Sequence, residues 1–325
     1  MPSSHAVTVI IPTFNGERYL DELLKQVERQ IFPGSVEVLI IDSGSSDNTL
    51  AIIAQHSNVT LIEIPNSEFG HGKTRNLAAK HASGEFLVFL TQDAVPAHEY
   101  WLQAMLEPFK ISPNVQAVFG KQTPRRLAPP LIKYEIQRVF AQFLPPASIH
   151  IFKSAQYLRP EHSDFLNFYS DVNSATRRQY LVDVNPFRDV DYAEDLYFAQ
   201  DTIAAGFLKA YAPMGEVIHS NDLEFGEIRG RAFDETRALI KLGKIDHDAS
   251  FRISYSAIAK RTLLDARYIS RDSELSWRRK LVSLVLNPFM LVQQQRGHRD
   301  AIRHANSDST NLPTSSLESR KRADA

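Results

Sequence analysis

The chain has 325 residues, a formal net charge of -1, no cysteine and 43% hydrophobic residues. This length allows one large domain with an appendage, or two domains. The near-zero charge excludes a global electrostatic attraction to nucleic acid or membranes, and the lack of cysteine excludes disulfides and thiolate metal sites.

The first 120 residues alternate between short apolar runs and helical patterns. Apolar runs rich in β-branched residues predict five strands, at 6–11, 36–41, 59–64, 85–90 and 115–120. Helical spacing of apolar residues predicts connecting helices at 17–30, 48–56, 73–82 and 99–109. Strands of continuous apolar character are buried on both faces, which predicts an α/β fold with a doubly wound, mostly parallel sheet flanked by helices. Ligands of such sheets bind outside the carboxyl ends of the strands.

The pattern loosens after residue 120. A Pro-rich linker at 123–130 is followed by helical patterns at 131–143 and 193–206. The pattern at 169–181 predicts a strand entering a helix, and short strands are predicted at 208–213 and 216–220. The stretch from 223 to about 303 is predicted to be mostly helical. The polar tail, 304–325, is predicted to be disordered. No segment has the charge pattern and length of a signal sequence or a membrane-spanning helix, so we expect a cytoplasmic protein.

The sequence GHGKT at 70–74 resembles a phosphate-binding P-loop, but Ser67 stands where that loop requires its first glycine. A nucleotide hydrolase is therefore disfavoured. Gly70 and Gly72 would still let a ligand approach the backbone at the start of a helix. Arg75, in the first helical turn, is predicted either to bind a phosphate or nucleobase, or to be a surface residue beside a flexible loop.

Asp42 ends the second predicted strand, in the sequence IIDSGSSDNT. An acid at this place either binds the base or ribose of a nucleoside, or caps the following Ser-Gly turn. Together with IPTFNGE after the first strand, it suggests a nucleoside pocket.

Asp93 is a lone carboxylate after the fourth predicted strand, in FLTQDAVP. It is a turn cap, a general base or a metal ligand, and one carboxylate suffices for a hard cation when substrate phosphates supply further oxygens. His219, in EVIHS, is either structural or the second ligand. An imidazole with a carboxylate suits Mn²⁺ or Mg²⁺.

Glu194 and Asp195 open the predicted helix at 193–206. The helix dipole by itself favours acids in a first turn. The functional alternative is that one of them is a general base, because neighbouring helical residues point about 100° apart and only one can face a given site. Asn173 and Ser174, in SDVNSATRR, precede this helix and are predicted either to contact a substrate or only to shape a turn.

Four blocks in a fixed order resemble glycosyltransferase family 2, whose members are inverting enzymes with the GT-A fold. The blocks are VTVIIPTFNGERYLDELL, VEVLIIDSGSSDNT, TRNLAAKHASGEFLVFLTQDAVP and AEDLYFAQDTIAAG. FGHGKTRN and FLTQDAVP together are similar to the bacterial rhamnosyltransferase branch, which uses dTDP-L-rhamnose in building surface polysaccharides.

The resemblance implies roles for the matching residues. Asp195 would be the catalytic base, with Glu194 beside it on the acceptor side, and Asp93 with His219 would bind Mn²⁺ or Mg²⁺. The donor-binding positions would be Pro12, Thr13, Asn15, Glu17, Asp42, Gly44, Arg75, Gln92 and Asp93. The usual Asp-x-Asp motif of the family is here Gln92-Asp93-Ala94, which we interpret as a variant of the rhamnosyltransferase-like branch and not as an inactive site.

The implied organisation is a GT-A domain at 1–222, a helical C-terminal extension at 223–303 and the tail. Within the first domain, about 1–95 would bind the nucleotide and about 96–222 the acceptor. The predicted function is inverting transfer of L-rhamnose from dTDP-L-rhamnose to a saccharide or lipid-linked saccharide, with a UDP-sugar donor as the alternative.

Two rival classes differ in what the sequence should contain. A nucleotidyltransferase would need a basic Gly-rich loop after the first strand, whereas IPTFNGERYL has one glycine and no lysine. A non-catalytic sugar-nucleotide-binding protein is supported mainly by the missing second acid.

The C-terminal part is locally basic. From 251 to 303 there are 11 Lys or Arg against 4 Asp or Glu, and Trp277 with three basic residues precedes the apolar run at 281–292. This run is too short to span a bilayer. It predicts either an interfacial helix making peripheral contact with the inner face of the cytoplasmic membrane, or a helix packed in the core or in a homo-oligomer.

Overall fold

The computed structural model describes residues 6–143, 147–153, 168–190, 192–221, 223–245, 252–307, 316–317 and 320. The chain forms two compact units. Unit 1 comprises 1–123 and 140–219, and unit 2 comprises 124–139 and 220–325. The segment 124–139, which the sequence analysis placed in the acceptor part, therefore belongs to the second unit.

Nine strands occur among the described residues, and all lie in unit 1. They are β1 Val7–Thr13, β2 Val36–Asp42, β3 Val59–Glu63, β4 Phe86–Leu90, β5 Val95–Pro96, β6 Val115–Thr123, β7 His150–Phe152, β8 Asn173–Arg177 and β9 Leu208–Ile218.

The α-helices belong to both units. Those of unit 1 are α1 Leu20–Glu28, α2 Thr49–Ile53, α3 His71–His81, α4 Trp101–Ile111 and α6 Glu194–Ala204. Unit 2 is built from α5 Pro130–Phe140 (except its last residue), α7 Ile228–Lys241, α8 Tyr255–Arg271 and α9 Trp277–Ala305.

The strands form one sheet in the order β3-β2-β1-β4-β8-β6-β9-β5, with β7 paired to β9. The first four strands in this order, β3, β2, β1 and β4, are parallel to one another, and β6 is parallel to β9. β8 runs antiparallel between β4 and β6. The carboxyl ends of β1, β2 and β4 therefore lie side by side, and the loops that follow them meet at one edge of the sheet.

The central strands are buried on both faces, as their continuous apolar sequences predict. Val9, Ile10 and Ile11 of β1 have no exposed surface. One face of β1 packs against α1, whose buried stripe is Leu20, Leu23, Leu24 and Val27. Burial of each such side chain contributes about 1.5–3 kcal/mol, so this layer holds the loops of the site on a rigid base.

Unit 2 is helical, as predicted for the C-terminal extension. Its core contains Leu131, Ile228, Ile258, Met290 and Leu291. A buried lysine of α5, Lys133, forms ion pairs of 2.7 Å with both Asp272 and Glu274. Gly297 of α9 lies against the backbone of Arg229 on α7, where a β-carbon would not fit.

The prediction of a disordered tail at 304–325 is wrong where the structure describes it. Residues 304 and 305 complete α9, and Ser316 and Leu317 are buried. The Leu317 N–H donates to the carboxylate of Asp234 at 2.9 Å, which fixes this part of the tail on α7. Within the described residues, no helix is long and apolar enough to cross a membrane.

Candidate active site

The loops after β1 and β2 are bonded to each other at the carboxyl edge of the sheet. Asn15, whose φ is 48°, accepts from the Ser46 N–H at 2.8 Å. Glu17 accepts from the backbone and side chain of Asn48 at 3.0 and 2.7 Å. These predicted donor positions therefore form one surface, and Pro12 lies in β1 opposite Ile41 of β2.

Asp42 is enclosed by its own turn. Its carboxylate accepts from the Thr13 hydroxyl at 2.8 Å and from the backbone N–H groups of Gly44 and Ser45 at 3.0 and 2.8 Å. The Ser45 hydroxyl adds a fourth bond at 2.6 Å, and the residue is 1% exposed. Gly44 has φ 87°, which glycine adopts without steric cost. Asp42 therefore caps the following turn, which is one of its two predicted roles.

Gln92 braces the loop after β1. Its amide accepts from the Phe14 N–H at 2.8 Å and donates to the Phe14 carbonyl at 3.0 Å. A β-carbon at Gly16 would lie 2.6 Å from the Gln92 Oε1 atom, so the glycine allows the amide to reach the backbone. A carboxylate could accept the first bond but could not donate the second. Gln92, the neighbour of the lone acid in this variant motif, therefore has a structural task of its own.

Gln92→Glu should lower the free energy of unfolding by about 1–3 kcal/mol, because the Phe14 carbonyl would face an acceptor in place of a donor. Urea unfolding measures this change. Gln103→Glu makes the same substitution on the exposed face of α4 and should stay within about 0.5 kcal/mol of wild type. Equal stability of the two variants would show that the Gln92 brace contributes nothing.

Asp93 and His219 meet, as predicted, although 126 positions separate them in the sequence. The Nε2 atom of His219 lies 3.4 Å from the Asp93 Oδ2 atom. The Nδ1 atom contacts the Gln122 amide oxygen at 3.2 Å, and the Gln122 amide group donates to the Ser170 hydroxyl at 3.0 Å. A proton on Nδ1, donated to Gln122, would leave the Nε2 lone pair available for a cation bound by Asp93.

These donors fit a divalent cation only in part. A carboxylate oxygen and an imidazole nitrogen are ligands for Mn²⁺ or Mg²⁺. No group of three or more metal-binding side chains occurs among the residues that the structure describes. The remaining ligands would therefore be oxygens of a bound diphosphate, which is usual for Mg²⁺-type sites.

A second group of polar residues surrounds Arg75, which is 5% exposed. Its guanidinium donates to Glu194 at 2.8 Å and to the His71 carbonyl at 3.0 Å, and its Nε atom lies 3.4 Å from the Asp171 carboxylate. Asp171 is 2% exposed and accepts from the Ser174 hydroxyl at 2.7 Å. Arg75 is thus not the surface residue of the second interpretation, because it is buried and ion-paired with acids. Its binding of a phosphate or nucleobase stays a prediction.

Asp195 lies next to this cluster and is more exposed than Glu194. It accepts from the backbone N–H groups of Leu196 at 2.8 Å and of Asp171 at 3.3 Å. Burial, and then the charges of Glu194 and Asp171, raise the pKa of Asp195 well above that of an ordinary aspartate. Burial likewise raises the pKa of Asp171 to about 6 against the opposing effect of Arg75.

The raised pKa makes Asp195 a stronger proton acceptor once ionised, which suits a general base. Glu194 is held by Arg75, so of the two acids Asp195 is the one that a substrate could reach. Ala193, the residue before α6, has φ 67°, a left-handed conformation that is strained for alanine. The backbone thus enters α6 abruptly, with both acids in its first turn.

Asn173 and Ser174 have no exposed surface. Asn173 accepts from the Trp101 indole N–H at 3.0 Å and donates to the Gly215 carbonyl at 2.7 Å. Ser174 donates to Asp171. The predicted acceptor contact is therefore corrected: both residues lie in β8 in the interior of the sheet, and their polar atoms bond within the protein.

The glycines of GHGKTRN also have a structural explanation. A β-carbon at Gly72 would collide with the backbone of Arg188, and Asn76 exchanges two hydrogen bonds, of 2.8 and 3.0 Å, with the Phe187 backbone. The expected approach of a ligand to Gly72 is replaced by the approach of the chain at 187–188. Together with Arg75, this motif fixes α3 beside the acidic cluster.

The model of Glycosyl transferase family 2 matches residues 8–179, which is more than half of the chain. The chain belongs to this family.

Two relatives within the family cover most of the sequence. The O-antigen chain rhamnosyltransferase RfbN of Salmonella typhimurium is 32% identical over 231 residues, which are 70% of each chain. The O-antigen chain rhamnosyltransferase WbaN of Salmonella anatum is 33% identical over 237 residues, 72% of this chain and 71% of the relative. The chain is therefore a glycosyltransferase with rhamnosyltransferase relatives at modest identity.

Solved structures confirm the GT-A-type fold. The mannosyltransferase PcManGT of Pyrobaculum calidifontis, in complex with GDP-Man and Mn²⁺, superposes with a TM-score of 0.59 at 17% identity, covering 95% of this chain and 89% of that chain. Residues 1–349 of TarS from S. aureus give a TM-score of 0.52 at 17% identity, covering 95% and 94%.

Several residues of this site were not among those predicted from the sequence. Asp171, Gln122 and Asn76 each complete a contact on which a predicted residue depends. Only Asp171 had a visible signal, since it is an acid two positions before the next strand. The partners of Gln122 and Asn76 lie 97 and 111 positions away, beyond the reach of any local pattern.

Proposed function

We propose that this glycosyltransferase moves L-rhamnose from dTDP-L-rhamnose, with inversion at the anomeric carbon, to a saccharide or lipid-linked saccharide of a bacterial surface polysaccharide. The observation that carries the mechanism is the pairing of Asp93 with His219 in the same unit that holds Asp195. Two relatives named as O-antigen rhamnosyltransferases support the choice of sugar.

The proposed donor site is the surface of the loops after β1, β2 and β4. Asn15, Glu17 and Gly44 face the nucleoside, and Asp42 and Gln92 act by holding these loops in place. Asp93 and His219 would hold Mn²⁺ or Mg²⁺, which supplies positive charge to the diphosphate as it leaves. Arg75 contributes indirectly in this scheme, through the acids that it neutralises.

Asp195 takes the proton from the acceptor hydroxyl. The acceptor oxygen forms its bond to the anomeric carbon while the bond from that carbon to the phosphate oxygen breaks, and the electron pair leaves on the nucleoside diphosphate. A single displacement inverts the anomeric centre.

A UDP-sugar donor is the second candidate. The poly(ribitol-phosphate) beta-N-acetylglucosaminyltransferase TarS of Staphylococcus aureus is 40% identical over 90 residues, 26% of this chain. A TarS structure with UDP gives a TM-score of 0.50 at 18% identity. The sequence identity to TarS is higher than that to the rhamnosyltransferases, but it extends over far fewer residues. A UDP-sugar donor therefore ranks below dTDP-L-rhamnose.

Thermal unfolding with a panel of sugar nucleotides tests donor and cation together. dTDP-L-rhamnose with Mn²⁺ or Mg²⁺ should raise the melting temperature most, since a ligand at a hundred times its Kd stabilises the folded state by about 2.7 kcal/mol. Asp93→Asn should remove the part of this rise that depends on the cation. Asp183→Asn, at an exposed position of unit 1, is the matched control.

Three outcomes contradict parts of the proposal. A larger rise with UDP-sugars would favour the second donor. An unchanged rise for Asp93→Asn, with and without a chelator, would remove the cation site. Binding of the donor without any hydrolysis or transfer would favour a non-catalytic sugar-nucleotide-binding protein.

A further inference from the structure

Two helices of unit 2 expose large apolar side chains. On α9, the stripe Trp277, Leu281, Val285 and Phe289 repeats every four residues, and each member is more than half exposed. Val282 is 56% exposed beside it. On α8, Leu263 is 69% exposed. Contiguous exposed apolar surface of this kind marks an interaction site.

These side chains lie opposite the core of the unit. Met290 and Leu291 of α9 pack with Ile258 of α8 in the same buried cluster. Asn287 of α9 donates to the buried Asp265 of α8 at 3.0 Å, which joins the inner faces of the two helices. The exposed stripes are therefore outer faces, and the helices that carry them are held in place from within.

Cations are interspersed with this apolar surface. Lys260, Arg267, Arg278 and Arg279 are exposed on the same two helices, and Arg278 lies 5.4 Å from the centre of the Trp277 ring. We call this surface the basic apolar face. It consists of these four cations and of Leu263, Trp277, Leu281, Val282, Val285 and Phe289.

The acids of this region do not cancel the positive charge. Residues 252–303 contain four acids, and each is bonded within unit 2. Asp265 pairs with Arg261, Asp272 and Glu274 pair with Lys133, and Asp300 pairs with Arg229. The field of the face is therefore positive, and its complement is a negatively charged surface.

We propose that the basic apolar face docks on the surface of a bilayer containing anionic lipids. The apolar stripe enters the boundary between headgroups and acyl chains, Trp277 lies at the headgroup level, and the cations contact lipid phosphates. Only the outer faces of α8 and α9 enter the interface, because their inner faces belong to the core. This inference does not depend on which sugar is transferred.

Charge favours a lipid surface over a second copy of the chain. In a symmetric contact through this face both copies would present the same positively charged surface, and like charges repel. Anionic headgroups reverse the sign of that interaction. A homo-oligomer through this face is the competing outcome of the test below.

Flotation of the full chain with vesicles tests the proposal. Vesicles of 70% phosphatidylcholine and 30% phosphatidylglycerol should bind the protein at least about tenfold more strongly than pure phosphatidylcholine, since several cations of the face would be attracted to the anionic surface. Binding should fall at 1 M salt, where the Debye length is about 3 Å. This measurement of salt dependence uses the wild-type protein alone.

Tryptophan fluorescence gives a second reading of the same event. The chain has two tryptophans, and Trp101 is fully buried, so a blue shift on adding anionic vesicles reports Trp277. Anionic vesicles should therefore produce the shift and neutral vesicles should not. Absence of the shift with bound vesicles would overturn the placement of the face.

Two variants locate the contact. The triple change Leu281→Ser, Val285→Ser and Phe289→Ser should reduce vesicle binding at least about tenfold. So should the double change Arg278→Glu and Arg279→Glu. The control Arg29→Glu with Lys80→Glu alters the net charge equally at exposed positions of unit 1 and should keep wild-type binding.

Two results would overturn the proposal. Equal binding of wild type and both variants to anionic vesicles would exclude this face. A dimer in sedimentation that the triple change dissociates, with no vesicle binding by wild type, would assign the face to a second copy of the chain. Circular dichroism of each variant verifies that unit 2 stays helical.

Discussion

Asp195→Asn should lower the rate of sugar transfer by about 10²–10⁴-fold while donor binding remains at the wild-type level. General-base catalysis typically contributes this much to a rate. Asparagine keeps the shape of the side chain and can still accept from Leu196, but it cannot take a proton from the acceptor hydroxyl. Transfer is measured with labelled donor, and donor binding by the thermal shift.

The pH dependence of the wild-type rate is part of this expectation. The base works only when ionised, and burial with the neighbouring acids raises its pKa well above that of an ordinary aspartate. The rate should therefore rise with pH along a limb that lies above the usual aspartate range. Retention of most of the rate by Asp195→Asn, or an acid limb near pH 4, would contradict the assignment.

Arg75→Met should lower the free energy of unfolding by about 3–5 kcal/mol at neutral pH. The substitution keeps an apolar stem and removes the cation, which leaves Glu194 and Asp171 buried without their partner. Urea unfolding measures the loss. Glu194→Gln in the same chain should recover part of it, because one of the two uncompensated charges is then absent.

The sign of the pH effect separates this role from phosphate binding. Arg75 lowers the pKa of both Asp171 and Asp195, so its removal raises these values further. An acid whose pKa is higher in the folded state than in the unfolded state stabilises the fold at low pH, and loses that contribution as pH rises through the folded value. The variant should thus be nearest to wild type at pH 5 and furthest from it at pH 8. Wild-type stability with weakened donor binding would instead make Arg75 a donor ligand.

Much of unit 1 was predictable because its strands carry their own signal. The continuous apolar runs at β1, β2 and β4 specify burial on both faces, and their order places the following loops at one edge of the sheet. The meeting of Asp93 with His219 follows from that geometry together with a resemblance that covers both positions. Helix α1 was predictable from the spacing of its apolar residues alone.

The insertion of β8 was not predictable in the same way. Its sequence, Asn173–Arg177, is short and polar, yet it pairs antiparallel with both β4 and β6 in the middle of the sheet. Such a strand is stabilised by specific partners, as in the bonds from Asn173 to Trp101 and Gly215. A local pattern contains no information about partners so distant, and for that reason Asn173 and Ser174 were placed on the acceptor side.

The same limit applies to Arg75 and Gln92. Arg75 was assigned to the donor from its position in a first helical turn and Gln92 from its position after a strand, and position alone does not show which way a side chain turns. Arg75 turns towards acids 96 and 119 positions away, and Gln92 towards a backbone 78 positions away. Long-range polar contacts decided both orientations.

The Gln92 brace has a consequence for how the enzyme meets its donor. An amide does not titrate, so the two bonds between Gln92 and the Phe14 backbone do not depend on pH. The loop at Phe14 is therefore fixed during folding, whether or not a cation or nucleotide is present. In the proposed donor site, less conformational entropy would then be lost when a sugar nucleotide binds, because this loop is already ordered.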